Sequence, residues 1–178
     1  KAIEIDPKYR NAWNNKGITL SDLGKNEEAL ECYDKVIELD PMDLDVWYNK
    51  GNAFLALEKY EEALKSYDKA TELNPKDNLA WNNKGLVLTD LEKYEEAIKC
   101  YEKAIELDPK VDYAWNNKGL ALYELDKDEE SLKCYDKAIE LKPNLYMAWN
   151  NYASLLADLG KHDECIKLMD QALKLPFF

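Results

Sequence analysis

The stretch Ala12–Gly17 reads AWNNKG, and it returns letter for letter at Ala80–Gly85 and Ala114–Gly119. Near copies stand at Val46–Gly51 (VWYNKG) and Ala148–Ala153 (AWNNYA). Its tryptophan falls at Trp13, Trp47, Trp81, Trp115 and Trp149, a step of 34 each time, and Pro7, Pro41, Pro75, Pro109 and Pro143 keep the same step. A fixed period of this length marks stacked supersecondary units, none of which buries its apolar face alone.

Each unit contains two helical stripes. Trp13, Gly17 and Leu20, spaced by four and three, make the first, and Ala29, Tyr33 and Val36 make the second. Between them a polar break such as Gly24-Lys25-Asn26 has the length of a helix–helix connection. Helix breaks are therefore expected near Gly24, Glu58, Glu92, Asp126 and Gly160. Proline closes the second helix, because it cannot continue one and biases the residue before it to extended backbone. Small residues on facing stripes let the two backbones approach, and tryptophan is expected to fill the remaining core volume. Burial of such a ring removes roughly 150–250 Å² from water, on the order of 4–6 kcal/mol gross.

This pattern resembles the tetratricopeptide repeat (TPR) family, whose signature places Trp, Gly, a small residue, an aromatic and Pro at set offsets. Gly17, Gly51, Gly85 and Gly119 match the glycine, with Ala153 in its place in the last copy. Ala29, Ala63 and Ala97 match the small residue, where Ser131 and Cys165 depart; Tyr33, Tyr67, Tyr101 and Tyr135 match the aromatic, where Met169 departs. The resemblance implies an all-α, right-handed superhelical solenoid of antiparallel helix pairs. With tryptophan as the fourth residue, the repeats span 10–43, 44–77, 78–111, 112–145 and 146–178, and residues 1–9 read as the end of a preceding repeat's second helix.

The totals restrict function. The chain has 178 residues, 46% hydrophobic and 34% charged, which is a globular composition. No apolar run approaches the roughly 18 residues of a membrane span, so a cytoplasmic protein without membrane partners is expected. A formal net charge of −12, with no basic block, speaks against nucleic acid, whose phosphates require cationic neutralisation. Cys32, Cys100 and Cys134 share one repeat position, so stacking separates them by about 8–10 Å, too far for a disulfide. With Cys165 they are expected to be reduced. His162 is the single histidine, and no metal or other cofactor is expected. Paired acids such as Glu27-Glu28 and Glu61-Glu62 sit where second helices begin and suit the helix dipole. No phosphate-binding loop or paired acid–base arrangement is present, so an enzyme is not expected.

A helical wheel places the candidate binding face on the first helices. Counting the residue three before each tryptophan as position 1, positions 3, 10 and 14 should meet the neighbouring repeat, leaving positions 2, 5, 6, 9 and 13 on the far side. In TPR arrays, the resemblance implies, that side lines the peptide groove. Position 6 is asparagine in every repeat (Asn15, Asn49, Asn83, Asn117, Asn151), and position 5 is Asn14, Tyr48, Asn82, Asn116 and Asn150. Carboxamides match the donor and acceptor of a peptide unit, and the column is similar to the asparagine ladder in the TPR arm of O-linked N-acetylglucosamine transferases. A structural role in bonds to neighbouring groups is the alternative. On the ladder reading, replacement of the column should leave folding largely intact. Asn52, Tyr113, Tyr123, Ile18, Leu55, Leu86, Leu120 and Met147 complete the face, with carboxylates Asp22, Asp45, Asp90, Glu124 and Asp158. The bases by which carboxylate-clamp TPR domains hold acidic C-termini are absent, so an apolar or basic peptide or protein is expected. Lys16, Lys50, Lys84 and Lys118, at position 7, should pack their stems and extend their ammonium groups into water.

Three functions follow: an interaction scaffold for an extended peptide, a targeting arm of a larger enzyme such as a glycosyltransferase, or a self-associating array. Ile166, Leu173, Leu175, Phe177 and Phe178 crowd the last helix and tail without a polar capping helix, so end-to-end self-association is expected.

Overall fold

In a computed structural model of the chain, the described residues are 7–175. Of the expected end of a preceding helix, residues 1–9, Lys1–Asp6 lie outside them, as do the tail residues Phe177 and Phe178, while Pro7–Tyr9 belong instead to the first described helix. The described residues form ten helices and no strand: α1 (Pro7–Asp22), α2 (Asn26–Leu39), α3 (Leu44–Ala56), α4 (Tyr60–Leu73), α5 (Asn78–Asp90), α6 (Tyr94–Leu107), α7 (Asp112–Tyr123), α8 (Asp128–Leu141), α9 (Tyr146–Asp158) and α10 (His162–Ala172). They fall into two compact units, Lys1–Leu91 with α1 to α5 and Glu92–Phe178 with α6 to α10. In the first, α1 packs on α2, α3 on α4, and α2 and α4 each pack on the first helix that follows. The second repeats this scheme with α7–α8, α9–α10, α6–α7 and α8–α9.

Helix breaks fall where the sequence places them. Gly24 and Gly160 have φ of +74° and +71°, and Glu58, Glu92 and Asp126 take the same left-handed conformation near +57°. Around Gly24 the Lys25 N–H reaches the Leu20 carbonyl at 2.8 Å and the Gly24 N–H reaches that of Ser21 at 2.9 Å. This is a Schellman cap, which satisfies carbonyls that the helix leaves open. It recurs as Lys59 to Phe54, Lys127 to Leu122 and Lys161 to Leu156. At the other corner Asp40 and Asp108 are extended before proline. Asp43 and Asp77 then cap α3 and α5 through backbone N–H groups.

In the pairs α1–α2, α3–α4 and α7–α8 the centre is the tyrosine rather than the tryptophan. Tyr33, Tyr67, Tyr101 and Tyr135 are at most 1% exposed. The glycine of the repeat makes room for the ring: a Cβ at Gly17 would stand 2.5 Å from Tyr33 Cε1, and one at Gly51 2.6 Å from Tyr67 Cε1. Trp13, Trp47, Trp81 and Trp115 are only half-buried, and Trp149 alone of the five is buried. The expectation of a tryptophan-filled core is corrected for those four. Each indole N–H needs an acceptor, and it finds the proline carbonyl at the corner between repeats: Trp47 to Pro41 at 2.9 Å, Trp81 to Pro75 at 3.0 Å and Trp149 to Pro143 at 2.8 Å. The periodic Trp and Pro are two ends of one contact.

The recurrent lysines also differ from expectation. Their ammonium groups reach carboxylates on the preceding second helix rather than water alone: Lys50 to Asp34, Lys84 to Asp68 at 2.7 Å and Lys118 to Glu102 at 2.8 Å. Lys50 and Lys84 also lie over Trp47 and Trp81, 5.5 and 5.1 Å from the ring centroids. Such half-exposed pairs contribute about 0–1 kcal/mol each, but the geometry stitches one repeat to the next.

Candidate functional site on the first helices

In the first unit α1, α3 and α5 lie side by side, and in the second α7 lies beside α9. Positions 2, 5, 6, 9 and 13 hold Asp22, Asp45, Asp90, Glu124 and Asp158 and no lysine or arginine. The carboxylates therefore have no base among the residues of their own face.

The asparagines bond chiefly to one another. In the first unit Asn49 Nδ2 donates to Asn14 Oδ1 at 3.4 Å, and Asn82 Nδ2 donates to Asn83 Oδ1 at 3.1 Å. Asn83 Nδ2 donates to Tyr48 OH at 3.1 Å and to Asn52 Oδ1 at 3.0 Å, and the same Asn52 oxygen accepts from Tyr67 OH at 2.6 Å. In the second unit Asn116 Nδ2 donates to Asn117 Oδ1 at 3.2 Å, and Asn151 Nδ2 donates to Asn116 Oδ1 at 3.0 Å. Position 6 of one repeat thus donates to position 5 of the repeat before it. Asn82 and Asn116 are buried, whereas Asn15 and Asn150 are exposed and Tyr48, Tyr113 and Tyr123 are half-buried. At Asn82 and Asn116 position 5 turns into the seam between adjacent first helices, where an unpaired carboxamide would be costly, while the position-6 residues Asn49, Asn83 and Asn117 are half-buried.

Between those helices lie clefts. In the first unit Ile18, Ser21 and Asp22 of α1 face Asn49, Asn52 and Ala56 of α3, over Asn26 and Tyr33, around a volume of ≈ 240 Å³. Ser21 Oγ donates to Asn26 Oδ1 at 2.8 Å in its wall. The matching cleft of the second unit, lined by Leu120, Tyr123, Tyr135, Asn151, Ser154 and Leu155, holds only ≈ 50 Å³, because leucine and tyrosine stand where the first has Ile18 and Ser21. Beside it opens a larger cleft of ≈ 310 Å³, with Tyr123, Leu155 and Leu159 below and Glu124, Asp126, Asp128 and Asp158 around it.

The electrostatics are those of an acidic surface partly withdrawn from water. Tyr123 OH donates to Asp158 Oδ2 at 2.8 Å, and that hydrogen bond, with the carboxylate's charge, raises the phenol above its ordinary range. Burial, with Glu58 nearby, raises the Asp90 carboxyl. His162, which the sequence assigns to a turn, is the exposed first residue of α10. Among the described residues no group of three or more His, Cys, Asp or Glu is placed to hold a metal, and no helix is long and apolar enough to cross a membrane. The Ser21–Asn26 contact, the shared Asn52 acceptor and the burial of Asn82 and Asn116 were not read from sequence. A signal was present at Asn52, the one asparagine at position 9, one helical turn after the one tyrosine at position 5 on α3.

Paired helices in two layers, with one layer presenting a notched amide and carboxylate face, define a helical-repeat scaffold of the protein-interaction class. The tetratricopeptide repeat family model matches residues 11–43, 44–77, 79–111 and 113–145, and a second model of the same description matches 134–167; the chain belongs to the tetratricopeptide repeat family. Its fold is similar to that of MamA from Desulfovibrio magneticus RS-1, with a TM-score of 0.86 and 22% identity over 94% of both chains. It is similar also to pilF of Pseudomonas aeruginosa, with a TM-score of 0.83 and 22% identity over 96% of this chain and 78% of that one. YrrB, described as a TPR protein with an unusual peptide-binding site, gives a TM-score of 0.77 and 26% identity over 97% of this chain and 89% of its own. One stretch of 33 residues is 58% identical to uncharacterized protein MJ0572 of Methanocaldococcus jannaschii, and covers 18% of this chain and 38% of that protein.

Proposed function

We propose that the chain is a non-catalytic scaffold that holds an extended peptide, apolar or basic in character, along the face of its first helices. The single observation that carries this reading is the composition of that face, which has five carboxylates, clefts between helices with mixed apolar and acidic or amide walls, and no base. Apolar side chains of a ligand would enter the clefts, as at Ile18 and Ala56 or at Leu155 and Leu159. Lysine or arginine would pair with Asp22, Asp90, Glu124 or Asp158. The carboxamides of Asn49 and Asn151 line such clefts and are already held by bonds to Asn14 and Asn116, which lowers the ordering cost of binding, and Asn15, Asn83 and Asn117 continue the same column. The description of YrrB as a peptide-binding TPR protein supports a ligand of the same class here.

The test is selection of binding peptides from a random display library, followed by calorimetric titration of one selected peptide. Replacement of its lysines by glutamate should weaken binding at least about tenfold, or about 1.4 kcal/mol. The difference should shrink with added salt, since the face is open to water. Selected peptides ending in acidic residues, or an affinity indifferent to the lysine changes, would overturn the reading.

A further inference from the structure

The cleft between α1 and α3 has a polar floor whose hydrogen-bonding capacity the fold uses only in part. Asn26, the first residue of α2, is 9% exposed. Its Oδ1 accepts from Ser21 Oγ at 2.8 Å. Its side chain lines the cleft, and among the described residues its Nδ2 finds no acceptor. Asn52, on α3, lines the same cleft. Both lone pairs of its Oδ1 are taken, by Tyr67 OH at 2.6 Å and by Asn83 Nδ2 at 3.0 Å. Those partners belong to α4 and α5, so the amide nitrogen of Asn52 turns away from them, and among the described residues it too finds no acceptor.

Deeply buried carboxamides rarely leave their donors unmatched, and here two of them offer N–H groups to one cleft. Acceptors stand beside these donors: Asn49 Oδ1, whose amide nitrogen is engaged with Asn14, and the Asp22 carboxylate. Ile18 and Ala56 supply the apolar part of the walls. The second unit differs at these very places. Asp128 and Ser154 stand where the first has Asn26 and Asn52, and the matching cleft holds ≈ 50 Å³ against ≈ 240 Å³.

We propose that the cleft between α1 and α3 is a subsite for a primary carboxamide, filled by a glutamine side chain of the bound peptide. The source of that glutamine rests on the peptide-face reading above; the chemistry of the cleft does not. A carboxamide oxygen accepts from Asn26 and Asn52 while its NH₂ donates to Asn49 Oδ1 or Asp22, so both ends of one group are matched. A lysine ammonium has donors alone and leaves the asparagine N–H groups unmatched, and a glutamate carboxylate brings like charge to Asp22. The floor lies beside the buried Tyr33, so the group has to arrive on a stem, whose methylenes lie against Ile18 and Ala56. A dry cavity of about 150 Å³ holds benzene, which has more heavy atoms than a glutamine side chain, so ≈ 240 Å³ gives it room.

NMR titration of the 178-residue chain with N-acetylglutamine methylamide, read at the side-chain amide signals of Asn26 and Asn52, tests this without a longer peptide. Both signals should move saturably. The methylamides of N-acetylglutamate and N-acetyllysine share the same backbone and should bind at least about tenfold more weakly. Asn26→Asp keeps the shape and the bond from Ser21, and an acid suits the start of α2, but it exchanges the amide donors for a carboxylate. It should weaken the glutamine probe at least about tenfold, or about 1.4 kcal/mol. Ala56→Leu, at an exposed place in the wall, narrows the cleft with its floor intact and should weaken the same probe. Equal affinity for the three probes, signals that stay fixed, or binding that neither variant changes would overturn the proposal. Glutamine binding here with no peptide held along the face would keep the subsite, with a small free carboxamide as its ligand, and sink the peptide-face reading. Lysine-containing peptides that bind while Asn26 and Asn52 stay unmoved would do the reverse.

Discussion

Asn151 donates its carboxamide N–H to Oδ1 of Asn116 at 3.0 Å, and Asn49 stands in the same relation to Asn14 at 3.4 Å, each pair separated by 35 residues in sequence. One repeat length plus one residue is the step that carries a position-6 side chain to position 5 of the repeat before. These asparagine pairs thus form a seam that joins neighbouring first helices.

Stability should reveal the seam. Asn116 is 2% exposed and serves as both donor and acceptor, so Asn116→Ala should cost about 1–3 kcal/mol by leaving partners unsatisfied. Asn150→Ala, at an exposed position, should change stability by less than about 0.5 kcal/mol. Guanidinium unfolding of both variants checks this, and equal small effects would contradict the seam.

The core ranking is a second test. Tyr67 is fully buried, so Tyr67→Ala should cost about 3–5 kcal/mol. Trp81 is half-buried, and its loss to alanine should cost less, about 2–3 kcal/mol on the same scale. Trp81→Phe keeps a ring beneath Lys84 but loses the bond to the Pro75 carbonyl, worth about 0.5–1.5 kcal/mol. Denaturant midpoints should fall in that order, and a larger loss at Trp81 than at Tyr67 would restore tryptophan to the centre.

Much of this fold was legible in the sequence because repetition removes ambiguity. Five copies fix the period, the two stripes and the turn positions, and the left-handed residues at Gly24, Glu58, Glu92, Asp126 and Gly160 fall where the breaks were expected. What periodicity does not give is the depth of a side chain or its partner. A wheel cannot show that Trp81 bonds to Pro75, because the acceptor lies across a corner whose conformation the pattern leaves open. Nor does it show that Asn116 is buried by Asn151, since neighbouring first helices approach through the stacking of whole repeats. The Lys84–Asp68 pair was missed for the same reason.

Loop chemistry gives a stabilising prediction. Glu58 holds φ of +56° and Glu92 +58°, a conformation that costs an L-residue roughly 1–2 kcal/mol, while Gly24 and Gly160 fill the equivalent place in other repeats. Glu58→Gly and Glu92→Gly should each gain about 0.5–1 kcal/mol after the entropy lost by glycine is subtracted. A rise in melting temperature for each variant is expected, and a fall would mean that these side chains make contacts of greater value.

Thiol accessibility follows from burial. Cys32, Cys100 and Cys134 are buried cysteines that form no disulfide, and Cys165 is half-buried on α10. Burial raises the Cys134 thiol to about 11, so at pH 8 it remains protonated and a poor nucleophile. A coloured disulfide reagent at pH 8 should therefore label Cys165 first, with the other three following only on unfolding. Rapid labelling of all four in the folded chain would show that the second-helix layer opens readily.

The peptide face is tested most directly by NMR of the asparagine side-chain amides during titration with a selected lysine-containing peptide. At saturation the carboxamide signals of Asn49 and Asn151, which border the clefts of the first helices, are expected to shift, while the amide signals of the second helices α2, α4 and α8 stay in place. Signals that remain fixed at saturating peptide, or shifts confined to the second helices, would contradict a ligand held along the first-helix face.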